Sequence, residues 1–576
     1  MYVIICMLSL IVKVCLWGGY HSTDFEVHRN WMAITYHMPL RKWYFEDTSI
    51  WTLDYPPFFA YFEWILAKFA VAIYSAWEDP VLILEISESA VISESILLFQ
   101  RSTVIVCDCV LLFATAKYLS VVTTRYKYTD RYKDTDTDTY GDTDGSKNKV
   151  RSQVIIFALV VLNAGLLLVD HIHFQYNGLL LGILILCLSF AQRCQYPATA
   201  ITFSILVLMK HLFVTLVPLF VIYFWCAYCA PRKVYSTSID KITKLGRLVL
   251  IALMMLVAAI GPLIWNEISN NGPHVHTFDE ISYLVMKQIG QLLTRLLPFG
   301  RGLVHTYWAP NVWALYYASD RAAIYLFTKI GMHSSLLISN ANAVASVSGV
   351  LGDVHPVILP AISAKLCLIL TFLSMTPALA QIYKKPTGDK LVESVVYCSL
   401  CAFMLGYHVH EKAILVPLVI QTLLIFTSHT QTTQASREGK GGIPSAMYLF
   451  IVLAVAGIFG LFPLFGQIRE LLIKTVLYVV YVTALVIIAR TVSISIKDEN
   501  RNGKNQAATA VYYQYQFPLW LLLAIFGVLH VYNQIGHAYF EAYIGRKLEF
   551  LPLMLTSIVS AVFLGYAWVL SLQQLF

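Results

Sequence analysis

The chain has 576 residues, of which 58% are hydrophobic and 13% charged, and its formal net charge is +7. Soluble globular proteins carry about 25% charged residues, so the composition excludes an ordinary water-soluble fold. The positive charge could point to an anionic partner, but the basic residues cluster in loops between apolar blocks, where Lys and Arg orient membrane spans. No nucleic-acid partner is expected.

The blocks Val154–Leu168, Leu248–Trp265, Leu471–Ile488 and Leu551–Leu570 are almost free of charge. Each can cross, or nearly cross, a hydrocarbon layer of ~30 Å as a helix. The chain is therefore read as an all-α integral membrane protein, one polytopic helical bundle with about fourteen spans. Met1–Trp17 is apolar around a lone Lys13 and has neither a basic leader nor a small-residue cleavage site, so it reads as a retained first span.

Residues 18–100 are too long for a connector, and their amphipathic stretches predict interfacial helices. They carry the first polar cluster, His21 to Trp31. Its Asp24 either favours the positive end of a helix capped by Ser22 or Thr23, or acts as a general base at the membrane surface. Asp54, before Pro56 and Pro57, reads as a turn residue that can also contact substrate.

A span near 101–122 leads to the loop 123–152, expected to be disordered. Its Asp/Thr repeat, Thr129–Ser146, resembles a calcium loop, but Gly145 stands where the bidentate acid counted from Asp134 belongs. Spans near 154–170 and 177–191 squeeze the second cluster, Asp170 to Gly178, between them. His171 and His173 lack a third metal ligand, and their neighbours suit a sugar or phosphate.

Lys210, His211 and Pro218 interrupt the apolar run Ile201–Cys229, which is read as two spans near 199–210 and 213–229. Only this split puts the basic loops 123–152, 230–247, 384–390 and 492–515 on one side, the cytosolic side under the positive-inside rule. Both termini are then cytosolic. After a span near 246–265, the long loop 266–356 falls on the opposite face with the third cluster, residues 295–313. Its Arg301 and His305, beside Gly300 and Gly302, can approach a phosphate.

Spans follow near 357–383, 391–408, 413–428, 445–465, 471–491, 516–535 and 551–573. A fourth cluster, Gly406 to Lys412, occupies the tight turn after 391–408. His408, His410 and Lys412 there suit an anion at headgroup depth. The CxxC pairs Cys226/Cys229 and Cys398/Cys401 lie in apolar segments without a second ligand pair, and read as packed thiols.

The motifs STDFEVHRNW at 22–31, WTLDYPP at 51–57, DHIHFQYNG at 170–178, RLLPFGRGLVHTYWAPNVWALY at 295–316 and GYHVHEKAIL at 406–415 resemble the endoplasmic-reticulum glucosyltransferases that use dolichyl phosphate glucose. Within that family they look most like the asparagine-linked glycosylation 8 type, which adds the second glucose to the dolichol-linked oligosaccharide; the first-glucose type is the near competitor. The resemblance implies a GT-C architecture, a site facing the lumen of the endoplasmic reticulum, and α-1,3-glucosyl transfer with inversion from a β-linked donor. It implies two lipid-linked substrates, the donor and a dolichol-diphosphate-linked oligosaccharide acceptor, with no cofactor and no essential metal. The family's base maps to Asp24. His408, His410 and Lys412, with Arg301 and His305 behind them, are the expected contacts of the donor phosphate. A transporter is the reading from another class, but it predicts internal repeats and midplane charges, and the sequence displays neither.

Overall fold

A computed structural model describes residues 1–18, 20–75, 84–86, 93–133, 143–232, 236–270, 277–297, 302–304, 309–330, 356–430, 445–466, 468–501, 517–545 and 548–576. Among these the secondary structure is helical, and the one β-type contact is an isolated bridge between Val304 and Val409. Nine helices among the described residues are long and apolar enough to cross a membrane, and three shorter apolar helices accompany them. The protein is an all-α polytopic membrane protein. Residues cluster into two units: Met1–Leu162 with Leu166–Pro298, and Asn163–Gly165 with Phe299–Phe576.

In the first unit α1 (Tyr2–Cys15) is followed by α2 (Thr23–His37) and α3 (Pro57–Ser75), which pack on each other within the expected first loop. Then come α4 (Glu94–Lys133) and α5 (Thr143–Val161), so helix reaches into both flanks of the 123–152 segment, and residues 134–142 lie outside the described part. A π-helical stretch, Leu167–Phe174, ends at Phe174 with φ 77°, and α6 (Asn177–Gln192) starts three residues later. Gly182 lets α6 close on α4, since a Cβ there would lie 2.7 Å from the backbone nitrogen of Leu111.

The run Ile201–Cys229 is broken as the polar interruption predicts. α7 (Tyr196–Met209) stops at Lys210, whose backbone is extended (φ −145°, ψ 120°), and a tight 3-10 turn leads into α8 (Val217–Phe224). The long α9 (Ser238–Asn270) leaves leucines and valines such as Val249, Leu253 and Val257 uncovered, as lipid contact requires. The amphipathic α10 (Phe278–Leu296) opens with a capping box, Thr277 and Glu280 satisfying each other's backbone N–H. Its Gln288, Gln291 and Arg295 donate to the carbonyls of Arg41 and Tyr44, fastening α10 to the loop after α2.

In the second unit α11 (Val312–Lys329) is capped by Asn311, whose side chain accepts from the N–H groups of Trp313 and Ala314. The apolar run near 357 becomes helix only at α12 (Ala364–Lys384), capped by Ser363. Upstream of it, Asp320 accepts from the backbone N–H groups of Val357, Ile358 and Leu359 at 2.7–2.9 Å, holding those residues in a bend instead of a helix. α13 (Gly388–Leu405) and α14 (Leu415–Thr430) flank the fourth cluster. Every residue of α15 (Ser445–Phe459) is buried, which makes it the centre of its unit, packed on α14 and α19. α16 (Ile468–Arg501), α17 (Leu519–Val531), α18 (His537–Ile544) and α19 (Leu551–Leu575) complete the chain.

Candidate functional site

Asp24 stands in the first turn of α2, where a carboxylate meets the positive end of the helix. Ser22, the residue before that helix, donates its hydroxyl to the carbonyl of His173. This bond brings the first and second polar clusters together. Gln175 Nε2 donates to Asp24 Oδ2 at 2.5 Å, and His173 Nε2 lies 3.3 Å from the same oxygen. The Asp24 side chain keeps 22% of its surface, whereas Asp108, Asp170 and Glu63 are buried. A carboxylate that must meet a substrate needs that access.

The wide turns of the π-helical stretch distribute Asp170, His171 and His173 in different directions, and such stretches are frequent at functional sites. Asp170 points into the protein and accepts from Asn177 Nδ2 at 2.8 Å and from the Gly178 N–H at 2.6 Å. His171 also turns inward, with Nε2 2.8 Å from Asp108 Oδ2, an oxygen that Lys13 of α1 shares at 2.6 Å. His173 alone of the two imidazoles reaches Asp24. The buried Arg101 ties the arrangement together, donating to the carbonyls of His171 and Tyr20.

One helical turn beyond Asp24, His28 shares its face of α2. Its Nδ1 lies 2.6 Å from Oε1 of the buried Glu63 on α3. Aromatic rings of Trp31, Phe59, Phe174 and Tyr176 surround the imidazole at centroid distances of 5.1–5.6 Å. Beside it runs a narrow crevice lined by His28, Tyr55, Phe59, Gln175, Tyr176 and Lys210. Burial holds the Tyr55 phenol well above its usual range, and Asp54, Asp24, Asp170 and Glu63 push it further. Asp54 thus belongs to the same electrostatic neighbourhood as Asp24.

In the second unit the turn Gly406–His410 docks on the segment Gly302–Val304. The His408 N–H donates to the Leu303 carbonyl at 3.0 Å, and His408 Nδ1 is 3.0 Å from the Gly302 carbonyl. His408 has φ 51°, a left-handed conformation that is costly for a residue with a side chain. Gly406 is obligatory, because a Cβ there would stand 2.4 Å from the Ala402 carbonyl oxygen. Trp313 Nε1 donates to the Gly406 carbonyl at 2.8 Å, so the start of α11 braces the turn. The rings of His408 and His410 meet edge to face at 5.6 Å, and Lys412 follows in the next turn, Glu411–Ile414.

The third and fourth clusters thus meet through Gly302–Val304, whereas Arg301 and His305 lie outside the described residues. Gln175 and Lys210 are residues that sequence reasoning did not assign to the site. Lys210 had a signal, a lone cation breaking an apolar run; Gln175 had none beyond its place in a polar string.

A model of the ALG6, ALG8 glycosyltransferase family matches residues 9–571. Among curated relatives, a protein of Neurospora crassa is 35% identical over 96% of this chain and 94% of its own length. One of Arabidopsis thaliana is 32% identical over 98% and 96%, and one of Bos taurus 31% identical over 97% and 92%. All three carry the name dolichyl pyrophosphate Glc1Man9GlcNAc2 alpha-1,3-glucosyltransferase.

Proposed function

The chain belongs to the ALG6, ALG8 glycosyltransferase family, and on that footing we propose that it is an α-1,3-glucosyltransferase adding the second glucose to the dolichol-linked oligosaccharide. The donor is dolichyl phosphate glucose and the acceptor the monoglucosylated dolichol-diphosphate oligosaccharide, met at the lumenal face of the endoplasmic-reticulum membrane. The observation that carries the reading is Asp24, partly exposed at a helix start and held through Oδ2 by Gln175 and His173.

In the reaction an acceptor hydroxyl attacks the anomeric carbon of the donor sugar from the face opposite the phosphate. Asp24 takes the hydroxyl proton as the new C–O bond forms. The bond to dolichyl phosphate breaks, and the electron pair leaves on a phosphate that needs no proton. One displacement inverts the β-linked donor to an α-linked product. His408, His410 and Lys412, with Arg301 and His305, take the role of stabilising the charge gathering on that phosphate. Cationic side chains can do what a metal does for nucleotide sugars. His171, engaged by Asp108, contributes by holding the π-helical stretch rather than by meeting substrate.

Transfer from dolichyl phosphate glucose to defined lipid-linked acceptors by the purified protein tests the assignment. Glucosylation of the monoglucosylated acceptor, with the unglucosylated one ignored, is the expected result. The reverse preference would reassign the chain to the first glucose.

A further inference from the structure

An ammonium only donates hydrogen bonds and a carboxylate only accepts them. Between Lys210 and Asp24 stand two side-chain amides. Lys210 Nζ donates to Asn177 Oδ1 at 3.4 Å, Asn177 Nδ2 to Gln175 Oε1 at 2.8 Å, and Gln175 Nε2 to Asp24 Oδ2 at 2.5 Å. The charged ends decide how both amides point. Flipping either would set oxygen against carboxylate or N–H against ammonium, and Asp170 Oδ1, which also accepts from Asn177 Nδ2 at 2.8 Å, adds a second lock.

The backbone is arranged for this chain of bonds. Phe174 at φ 77° turns the end of the π-helical stretch so that Gln175 leaves extended and Asn177 begins α6. A left-handed phenylalanine is strained, and the surrounding packing must hold it. Lys210 sits in the extended break between α7 and the turn after it, anchored by its own N–H, which donates to the Leu206 carbonyl at 3.0 Å, and by its carbonyl, which accepts from the Phe213 N–H at 3.2 Å. Gln175 and Asn177 are buried, so water does not readily replace the amides.

We propose that Lys210, Asn177 and Gln175 form a positioning relay for the base. The relay fixes Oδ2 of Asp24 and thereby the plane in which its carboxylate receives the acceptor proton. No proton travels along it. The inference rests on Asp24 being the base of the proposed reaction.

The alternative use of Lys210 is direct contact with a substrate phosphate from its place over the Tyr55 ring, 5.2 Å from the centroid. A double-mutant cycle separates the two. The full-length protein in lipid nanodiscs is assayed for glucose transfer from dolichyl phosphate glucose as wild type, Gln175→Leu, Lys210→Met and the double variant. Misdirecting a reacting group costs roughly 10–100-fold in kcat, and each single variant should show such a loss with the KM of both substrates within about twofold. Lys210→Arg should recover most of the Lys210→Met loss. Because both residues are links in one chain, the double variant should be no slower than the worse single. Losses that multiply, or a Lys210→Met defect confined to donor KM, would overturn the relay.

Gln175→Asn, one methylene too short to span the gap, repeats the test should Gln175→Leu not assemble, with the same kcat loss expected. An Asp24→Asn variant that keeps near-normal turnover sinks the base and the relay with it. Multiplying losses beside an inactive Asp24→Asn sink the relay alone. The cycle runs on whichever lipid-linked acceptor the wild type glucosylates, so the acceptor assignment stands or falls separately.

Discussion

A Cβ added to Gly178 would lie 2.0 Å from Oδ1 of Asp108. The glycine is where α6 begins, and the carboxylate belongs to α4, so no side chain fits between the two helices at that level. Asp108 cannot withdraw, because Lys13 and His171 hold its other oxygen. Gly178→Ala is expected to cost about 1–3 kcal/mol through overpacking. A lowered thermal midpoint in detergent or nanodiscs checks this. Gly290→Ala on α10 is the control: nothing lies within 4 Å of its Cβ position, so the midpoint should hold or rise.

Asp24→Asn should leave the protein folded and remove transfer. The amide can still meet Gln175 after a flip, but it has no basic oxygen for the acceptor proton. General bases contribute roughly 10²–10⁴-fold, and a loss of that size in kcat at an unchanged melting temperature is the expected outcome. Turnover near the wild-type rate would remove Asp24 from the mechanism.

Lys412→Ala should weaken donor use more than acceptor use, because the turn after His408–His410 is assigned to the donor phosphate. Kinetics with each substrate varied in turn provide the check. An equal effect on both substrates, together with a lower melting temperature, would make Lys412 a structural residue of the turn Glu411–Ile414.

Lys13→Met should be the most damaging change in α1. It strands the buried carboxylate of Asp108 with His171 as its remaining partner among these bonds, and breaking a buried ion pair costs about 3–5 kcal/mol. The double variant Lys13→Met/Asp108→Asn should regain part of the loss, since it removes the uncompensated charge. If the double variant unfolds at a still lower temperature than Lys13→Met, the pair is not the reason for the damage.

The helices were legible because hydrocarbon enforces long charge-free runs, and Lys210 was a readable breaker for the same reason. The start of α12 was not. Residues 357–363 are apolar and look helical, but Asp320 claims three of their backbone N–H groups and Tyr316 binds the carbonyl of Pro360. Such tertiary hydrogen bonds leave no periodic trace. Within the site, the polar string Asp170 to Gly178 was visible as a unit, yet the opposite fates of His171 and His173 were not. A normal helical pitch would not predict them; the π-helical widening and the left-handed Phe174 decide which imidazole turns inward. The relay was illegible for a similar reason, because Gln175 and Lys210 are brought together by two breaks in helix rather than by any spacing.

The bond from Gln175 to Asp24 spans 151 positions of sequence, and this bears on how the protein is made. A ribosome adding about 5–20 residues per second delivers the second partner on the order of ten to thirty seconds after the first. During that interval the segment carrying Asp24 has neither His173 nor Gln175 to hold it. The proposed base is therefore organised late in biogenesis, after α4 and α5 have been synthesised. Truncated or paused chains ending before Phe174 would carry the base without the residues that orient it.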